Sequence, residues 1–234
     1  GGRMVTAALP DGRGEWLRLR DSKADRLLRA GVTLRLNTRA DAALIAELAP
    51  DDVVLATGAR PRPLTVPGAG TAPLMDLDAA VLDMAAGGAG IGPRVLIVDH
   101  LNRAPGMAAA LMFARAGRSV ELATMAFHAG EKLEIQNLSY FQRECLLAGV
   151  TFRPTVTPHR FDGGTVEFYN IFTRTVTGHG RYDTIVAVLP GLAEDSLLPV
   201  IRGMDLPVRV IGDAYAPRDI EAAILDGFET AMSL

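Results

Sequence analysis

The chain has 234 residues, 49% of them hydrophobic, with 24 basic and 27 acidic side chains giving a formal charge of -3. That length and apolar content allow one large core or two small ones, and mixed charge without a basic block speaks against a nucleic-acid partner. No apolar run approaches the roughly 18 residues of a membrane span, and the opening GGRMVTAALPDGRGEW lacks the order of a signal peptide, so a soluble, cytoplasmic protein is expected.

In chain order, EWLRLRDSKADRLLRAGVTLRLNT predicts a helix carrying Leu27 and Leu28, a stop at Gly31 and a short strand from Val32 to Leu36. LIAELAPDDVVLATGARPRP predicts a short helix and a buried strand, Val53 to Ala56, ending at Thr57-Gly58. The clusters PRPLTVPGAG and AAGGAGIGP mark loops and candidate domain crossings. A fresh unit follows: strand 94–99, an Ala-rich helix 106–117 ending at Gly117, and strand 119–125, the pattern of a crossover helix on a parallel sheet. After a helix at about Leu133 to Ala148, VTFRPTVTPHRF, TVEFYNIF and TRTVTG alternate and read as antiparallel strands. YDTIVAVLP is one more buried strand, and VRVIGDA passes from a strand through Gly212-Asp213 into an amphipathic helix. Strands alternating with helices make this an α/β protein.

The lone Cys145 has no second cysteine and reads as a buried structural thiol. His100, His128, His159 and His179 fall in loops or strand ends without an i, i+4 pair, which speaks against a metal site. Ser139, Ser196 and Cys145 lie in no nucleophile elbow, so no catalytic residue is assigned. Trp16 reads as a core anchor.

Two strand ends carry the chemistry. At Gly212-Asp213 the glycine lets backbone approach a ligand and the carboxylate can accept a ribose or ribityl hydroxyl; equally, the pair can be a turn glycine with a helix-capping aspartate. At Thr57-Gly58 a small residue and a permissive backbone would let adenine or pyrophosphate pass close by, or form an ordinary turn. Taken together they suggest the crevice at one edge of an open α/β sheet. The second unit is poorer: HLNRAPG after RVLIVD has one glycine and a proline where a pyrophosphate loop has several glycines. Strand SVELATM ends without an acid for an adenine ribose or an arginine for a 2′-phosphate, so a scaffold without a nicotinamide site is favoured.

The stretches GGRMVTAALPDGRGEW, DDVVLATGARP, RVLIVDHLNRAP, VEFYNIF and VIGDAYAPRDIEAAILDG together resemble the C-terminal nucleotide-binding region of the trimethylamine dehydrogenase and NADH:flavin oxidoreductase family. AALPDGRGEW and VEFYNIF favour its amine dehydrogenase branch. The resemblance implies two Rossmann-like lobes, the second inserted into an incomplete first. Residues 1–70 and 205–234 would form an FAD/ADP-binding-type domain, and 94–190 an NAD(P)-binding-type domain. Carried over by position, Thr57, Gly58, Gly212 and Asp213 line the adenine-nucleotide site, with Ile220 a weaker member; the cofactor there is FAD in reductase members and ADP in the trimethylamine dehydrogenase branch. The resemblance also implies that FMN on a barrel and a 4Fe-4S cluster are to be expected in a region upstream of Gly1, together with the first β-α-β and its Gly-rich loop. The implied function is the nucleotide-binding portion of an amine dehydrogenase or demethylase passing electrons to an electron-transfer flavoprotein. The alternatives are part of an NADPH-dependent enoyl reductase, or a docking module holding ADP for structure.

Overall fold

Four apolar residues in succession, Val95 to Val98, are fully buried on both faces of one strand, and one of the two compact units of the chain is organised around that strand. The computed structural model describes residues 2–234; Gly1, the first residue of the quoted opening stretch, lies outside the described residues. In chain order come α1 (Gly2–Ala8), α2 (Glu15–Arg29), α3 (Ala42–Leu48), β1 (Val53–Leu55), β2 (Ala59–Arg60), β3 (Leu74–Asp76), α4 (Leu77–Ala85) and β4 (Arg94–Asp99). There follow α5 (Ala104–Arg115), β5 (Ser119–Thr124), α6 (Ile135–Leu147), β6 (Thr151–Arg153), β7 (Val156–Asp162), β8 (Thr165–Asn170) and β9 (Val176–Arg181). The last elements are β10 (Thr184–Val188), β11 (Leu192–Ala193), α7 (Leu198–Gly203), β12 (Val208–Val210) and α8 (Ile220–Met232).

The chain divides into two compact units, one of residues 2–30 and 63–189, the other of 31–62 and 190–234. The first holds a five-stranded parallel sheet in the order β3-β10-β4-β5-β6. Because side chains alternate along a strand, Val95 and Ile97 enter the cluster formed with α4, α5 and α6. Leu96 and Val98 enter the opposite cluster, with Phe161, Val166 and Phe168 of the antiparallel sheet β7-β8-β9. Both faces are therefore covered, as a parallel sheet requires. Alanines at 108, 109 and 110 let α5 lie close on the sheet, and Gly117, at φ 79°, turns the chain from α5 into β5. Cys145 is fully buried and its thiol donates to the Met107 carbonyl at 3.6 Å; burial pushes its pKa up to about 12, which makes it the structural thiol expected.

The second unit is built on a parallel pair, β1 and β12, with a small core of Ile45, Leu55 and Ile201. A two-residue antiparallel ladder joins β2 to β11.

Several expectations are corrected. The stretch Val32 to Leu36 forms no strand: it has no partner to pair with among the described residues, and Val32, Leu34 and Leu36 are exposed. Thr151–Arg153, expected in the antiparallel set, is instead a parallel strand on β5, and Thr155 at φ 61° breaks it from β7. His159 and His179 lie inside β7 and β9. Trp16 is only half-buried, with the Arg13 guanidinium 5.7 Å from its ring centre.

The parallel sheet and the antiparallel layer are tied by one polar group. The Tyr182 hydroxyl donates to Glu121 Oε2 at 2.6 Å, Arg153 Nε donates to the other oxygen, and the Arg153 guanidinium lies 4.4 Å from the centre of the Phe168 ring. A hydrogen bond to a charged acceptor contributes about 1.5 to 3 kcal/mol. Tyr182→Phe is therefore expected to lower unfolding stability by about that amount, measurable as an earlier urea midpoint at unchanged slope.

Candidate functional site

Parallel pairing brings the two strand ends together. Leu55 stands beside Val210 in the ladder, and the Ile211 amide donates to the Leu55 carbonyl at 3.0 Å. The next residues of each strand, Thr57-Gly58 and Gly212-Asp213, therefore leave the pair at the same edge. Open α/β sheets bind ligands at this carboxyl end.

Both turns use glycine for backbone reasons. Gly58 has φ 83° and Gly212 φ 60°, a region that side chains disfavour. A Cβ on Gly212 would lie 3.4 Å from that of Ala223 in α8, so the turn packs closely on the helix. Much of the polar capacity is already engaged. The Thr57 hydroxyl donates to the Glu194 carbonyl, and the Glu194 amide donates to the Gly58 carbonyl at 2.9 Å. The Gly212 amide donates to Asp226 Oδ2 at 2.9 Å, and the same carboxylate receives the Arg218 guanidinium.

Asp213 is half-buried and its Oδ1 accepts the Arg218 amide at 2.9 Å. It is not the cap of α8. That role falls to Asp219, whose carboxylate accepts the Ala222 amide at 3.0 Å, so the capping alternative for Asp213 is corrected. Ile220 is the first residue of α8, half-buried, directly after the cap. Asp219 and Asp226 were missed in the sequence. Asp219 carried a signal, standing three residues before an amide at the start of an apolar run; Asp226 carried none, because its partner, Gly212, is set by how α8 packs.

This donor and acceptor set fits one part of an adenine dinucleotide better than another. A partly exposed carboxylate beside permissive backbone suits a sugar hydroxyl. Phosphates need free amides, and the Gly212 amide is already bound to Asp226, so a pyrophosphate would need its donors elsewhere.

At the turn after β4 the first unit shows a different arrangement. Asp99 is fully buried, and its Oδ1 accepts the Leu101 and Asn102 amides, both at 2.9 Å. Its Oδ2 accepts no hydrogen bond among the described residues. Burial raises the Asp99 pKa to about 6. Asn102, at φ 56°, receives the Thr124 hydroxyl on its side chain and the Lys132 amide, at 3.0 Å, on its carbonyl.

No protein-family model matches the chain. It is 27% identical over 255 residues to a probable N-methylproline demethylase of Rhizobium meliloti (strain 1021), a match that takes in 97% of this chain and 37% of that protein. Over 100 residues it is 42% identical to an N,N-dimethylglycine/sarcosine dehydrogenase of Chromohalobacter salexigens, covering 42% of this chain and 14% of the relative. A cinnamate reductase of Clostridium sporogenes is 26% identical over 238 residues, covering 100% of this chain and 34% of the relative. Among solved structures, histamine dehydrogenase from Rhizobium sp. 4-9 superposes with a TM-score of 0.89 at 22% identity, over 100% of this chain and 38% of that one. The fold is thus the mixed α/β, Rossmann-like arrangement expected, and these relatives bear out the resemblance to the trimethylamine dehydrogenase-like family. The chain spans little more than a third of the length of the curated relatives that match it along its whole length. No helix among the described residues is long and apolar enough to cross a membrane.

Two outcomes are expected. Asp219→Ala removes the cap of α8 and costs about 0.5 to 2 kcal/mol in denaturant unfolding. For Asp99 the sign follows from its raised pKa: its contribution to stability is complete below the unfolded value of 3.8 and is lost as pH rises through about 6. Asp99→Asn, which does not titrate, should therefore gain on the wild type by about 2 to 3 kcal/mol between roughly pH 4 and pH 7, read as the difference between their urea unfolding free energies.

Proposed function

We propose that this chain is the nucleotide-binding portion of a larger cytoplasmic flavin and iron-sulfur oxidoreductase, an amine dehydrogenase or demethylase, with ADP or FAD bound at the β1–β12 edge. The observation that carries this reading is the parallel register that sets Thr57-Gly58 beside Gly212-Asp213. A probable N-methylproline demethylase matches along 97% of the chain and an N,N-dimethylglycine/sarcosine dehydrogenase along 42% of it, which favours that chemistry over the many others that Rossmann-like folds support.

In this reading the 1–70 and 205–234 segments belong to one nucleotide domain into which 94–190 is inserted, a division taken from the resemblance and distinct from the compact units above. Asp213 holds a ribose or ribityl hydroxyl, Ile220 and the Thr57-Gly58 backbone border the nucleotide, and the phosphate amides come from an upstream β-α-β. FMN and a 4Fe-4S cluster would supply the redox chemistry from an upstream barrel region, in the same or a companion chain. An electron-transfer flavoprotein would take the electrons onward. This chain's own part is to bind and orient the nucleotide.

The cinnamate reductase among the relatives favours a second reading, part of an NADPH-dependent enoyl reductase. Steady-state assays of the full-length protein separate the two. Alkylamine-dependent reduction of an electron-transfer flavoprotein, without NADPH oxidation, is expected; NADPH oxidation driven by an enoate would favour the reductase.

Asp213→Ala in the full-length protein should weaken ADP or FAD binding by about 1.5 to 3 kcal/mol, the range for a hydrogen bond to a charged group. Calorimetric titration checks this, and unchanged affinity would remove Asp213 from the site.

A further inference from the structure

In the first unit, we propose that the Asp99 carboxylate is a built-in anion that fills the place of a dinucleotide's pyrophosphate at the turn between β4 and α5. The unit is thereby closed to NAD(P)H by its own side chain. This concerns the first unit alone and stands whether or not the β1–β12 edge binds a nucleotide.

In a doubly wound sheet the pyrophosphate lies at the turn from the first strand into its helix, over free backbone amides and the positive helix end. Here β4 is that strand, between β10 and β5, and α5 is that helix. Two amides of the turn are already engaged: Leu101 and Asn102 both donate to Asp99 Oδ1. The carboxylate also lies against the first turn of α5, because a Cβ on Gly106 would stand 2.5 Å from Asp99 Oδ2. Pro105, in that same first turn, brings no amide.

The surroundings close the turn further. The His100 amide donates to the Val188 carbonyl at 2.9 Å and bridges β4 to β10 beyond their ladder. Asn102 is pinned from two sides, by the Thr124 hydroxyl at the end of β5 and by the Lys132 amide. Thr124 therefore occupies, fully buried and hydrogen-bonded, the strand end where an adenine ribose would find its acid. An incoming pyrophosphate would meet a fixed carboxylate instead of donors, and like charges at contact distance repel strongly in a buried setting. Gly106 is then explained by the anion already present, since any larger residue would collide with it.

The test is calorimetric titration of the ADP-saturated full-length protein with inorganic pyrophosphate and, anaerobically, with NADPH. Asp99→Gly frees the two amides and is expected to bind pyrophosphate at least tenfold more tightly than the wild type, about 1.4 kcal/mol. Asp99→Asn still offers an acceptor oxygen to both amides and should behave as the wild type. Equal pyrophosphate affinity in the wild type and a folded Asp99→Gly would overturn the proposal, as would saturable NADPH binding to the wild type that pyrophosphate displaces. Should Asp99→Gly not fold, Asp99→Ser takes its place under the same criteria. ADP affinity, measured in parallel, should be the same in the wild type and Asp99→Gly; its loss in Asp213→Ala concerns the other site.

Discussion

The parallel pairing of β1 with β12 is the constraint on which the candidate site depends. Its two strands are separated in sequence by residues 63–189, the larger segment of the other unit, and three ladder positions bring them together. A parallel pair cannot be closed by a tight turn; it needs a long crossover. Here the crossover includes the 63–189 segment of the other compact unit. Because neighbouring parallel strands run the same way, their carboxyl ends share an edge, and that alone sets Thr57-Gly58 beside Gly212-Asp213. Hydrogen bonds then fix each turn: the Glu194 backbone holds the first, its carbonyl accepting the Thr57 hydroxyl and its amide donating to the Gly58 carbonyl, and Asp226 holds the second through the Gly212 amide.

The same rule, applied in the first unit, gives the opposite chemical result. The ends of β4 and β10 also share an edge, and the turn after β4 also leads into a helix. Yet the amides there are committed to Asp99, whereas at the second unit's edge a half-buried carboxylate remains at the surface. Rossmann-like topology supplies a place for a nucleotide. Which groups stand at that place decides whether the topology is used.

The burial of Asp99 has an energetic consequence. A carboxylate out of water is costly unless hydrogen bonds compensate, and two amides on one oxygen offset only part of that, which is why its pKa remains high at about 6. A hydrophobic residue at this position would avoid the cost but leave two amides without acceptors. The aspartate is a compromise between those penalties, and it is stable only because the turn is folded around it.

Much of this was legible in the sequence. The run RVLIVD, the Ala-rich segment to Gly117 and SVELAT carried enough periodicity and punctuation to define β4, α5 and β5, since burial on both faces demands apolar residues at every position. Gly212-Asp213 and Thr57-Gly58 were legible as strand ends because glycine marks backbone that other residues avoid. Apolar content misled at Val32 to Leu36, where a strand-like pattern has no partner to pair with among the described residues. What only the tertiary structure decided were the long-range partnerships. Asp219, not Asp213, caps α8, Asp226 reaches back to the Gly212 amide, and Asp99 turns inward onto its own loop. Local sequence determines which backbone shapes and burial patterns are affordable; which donor each carboxylate meets depends on how distant segments pack, and no local pattern encodes that.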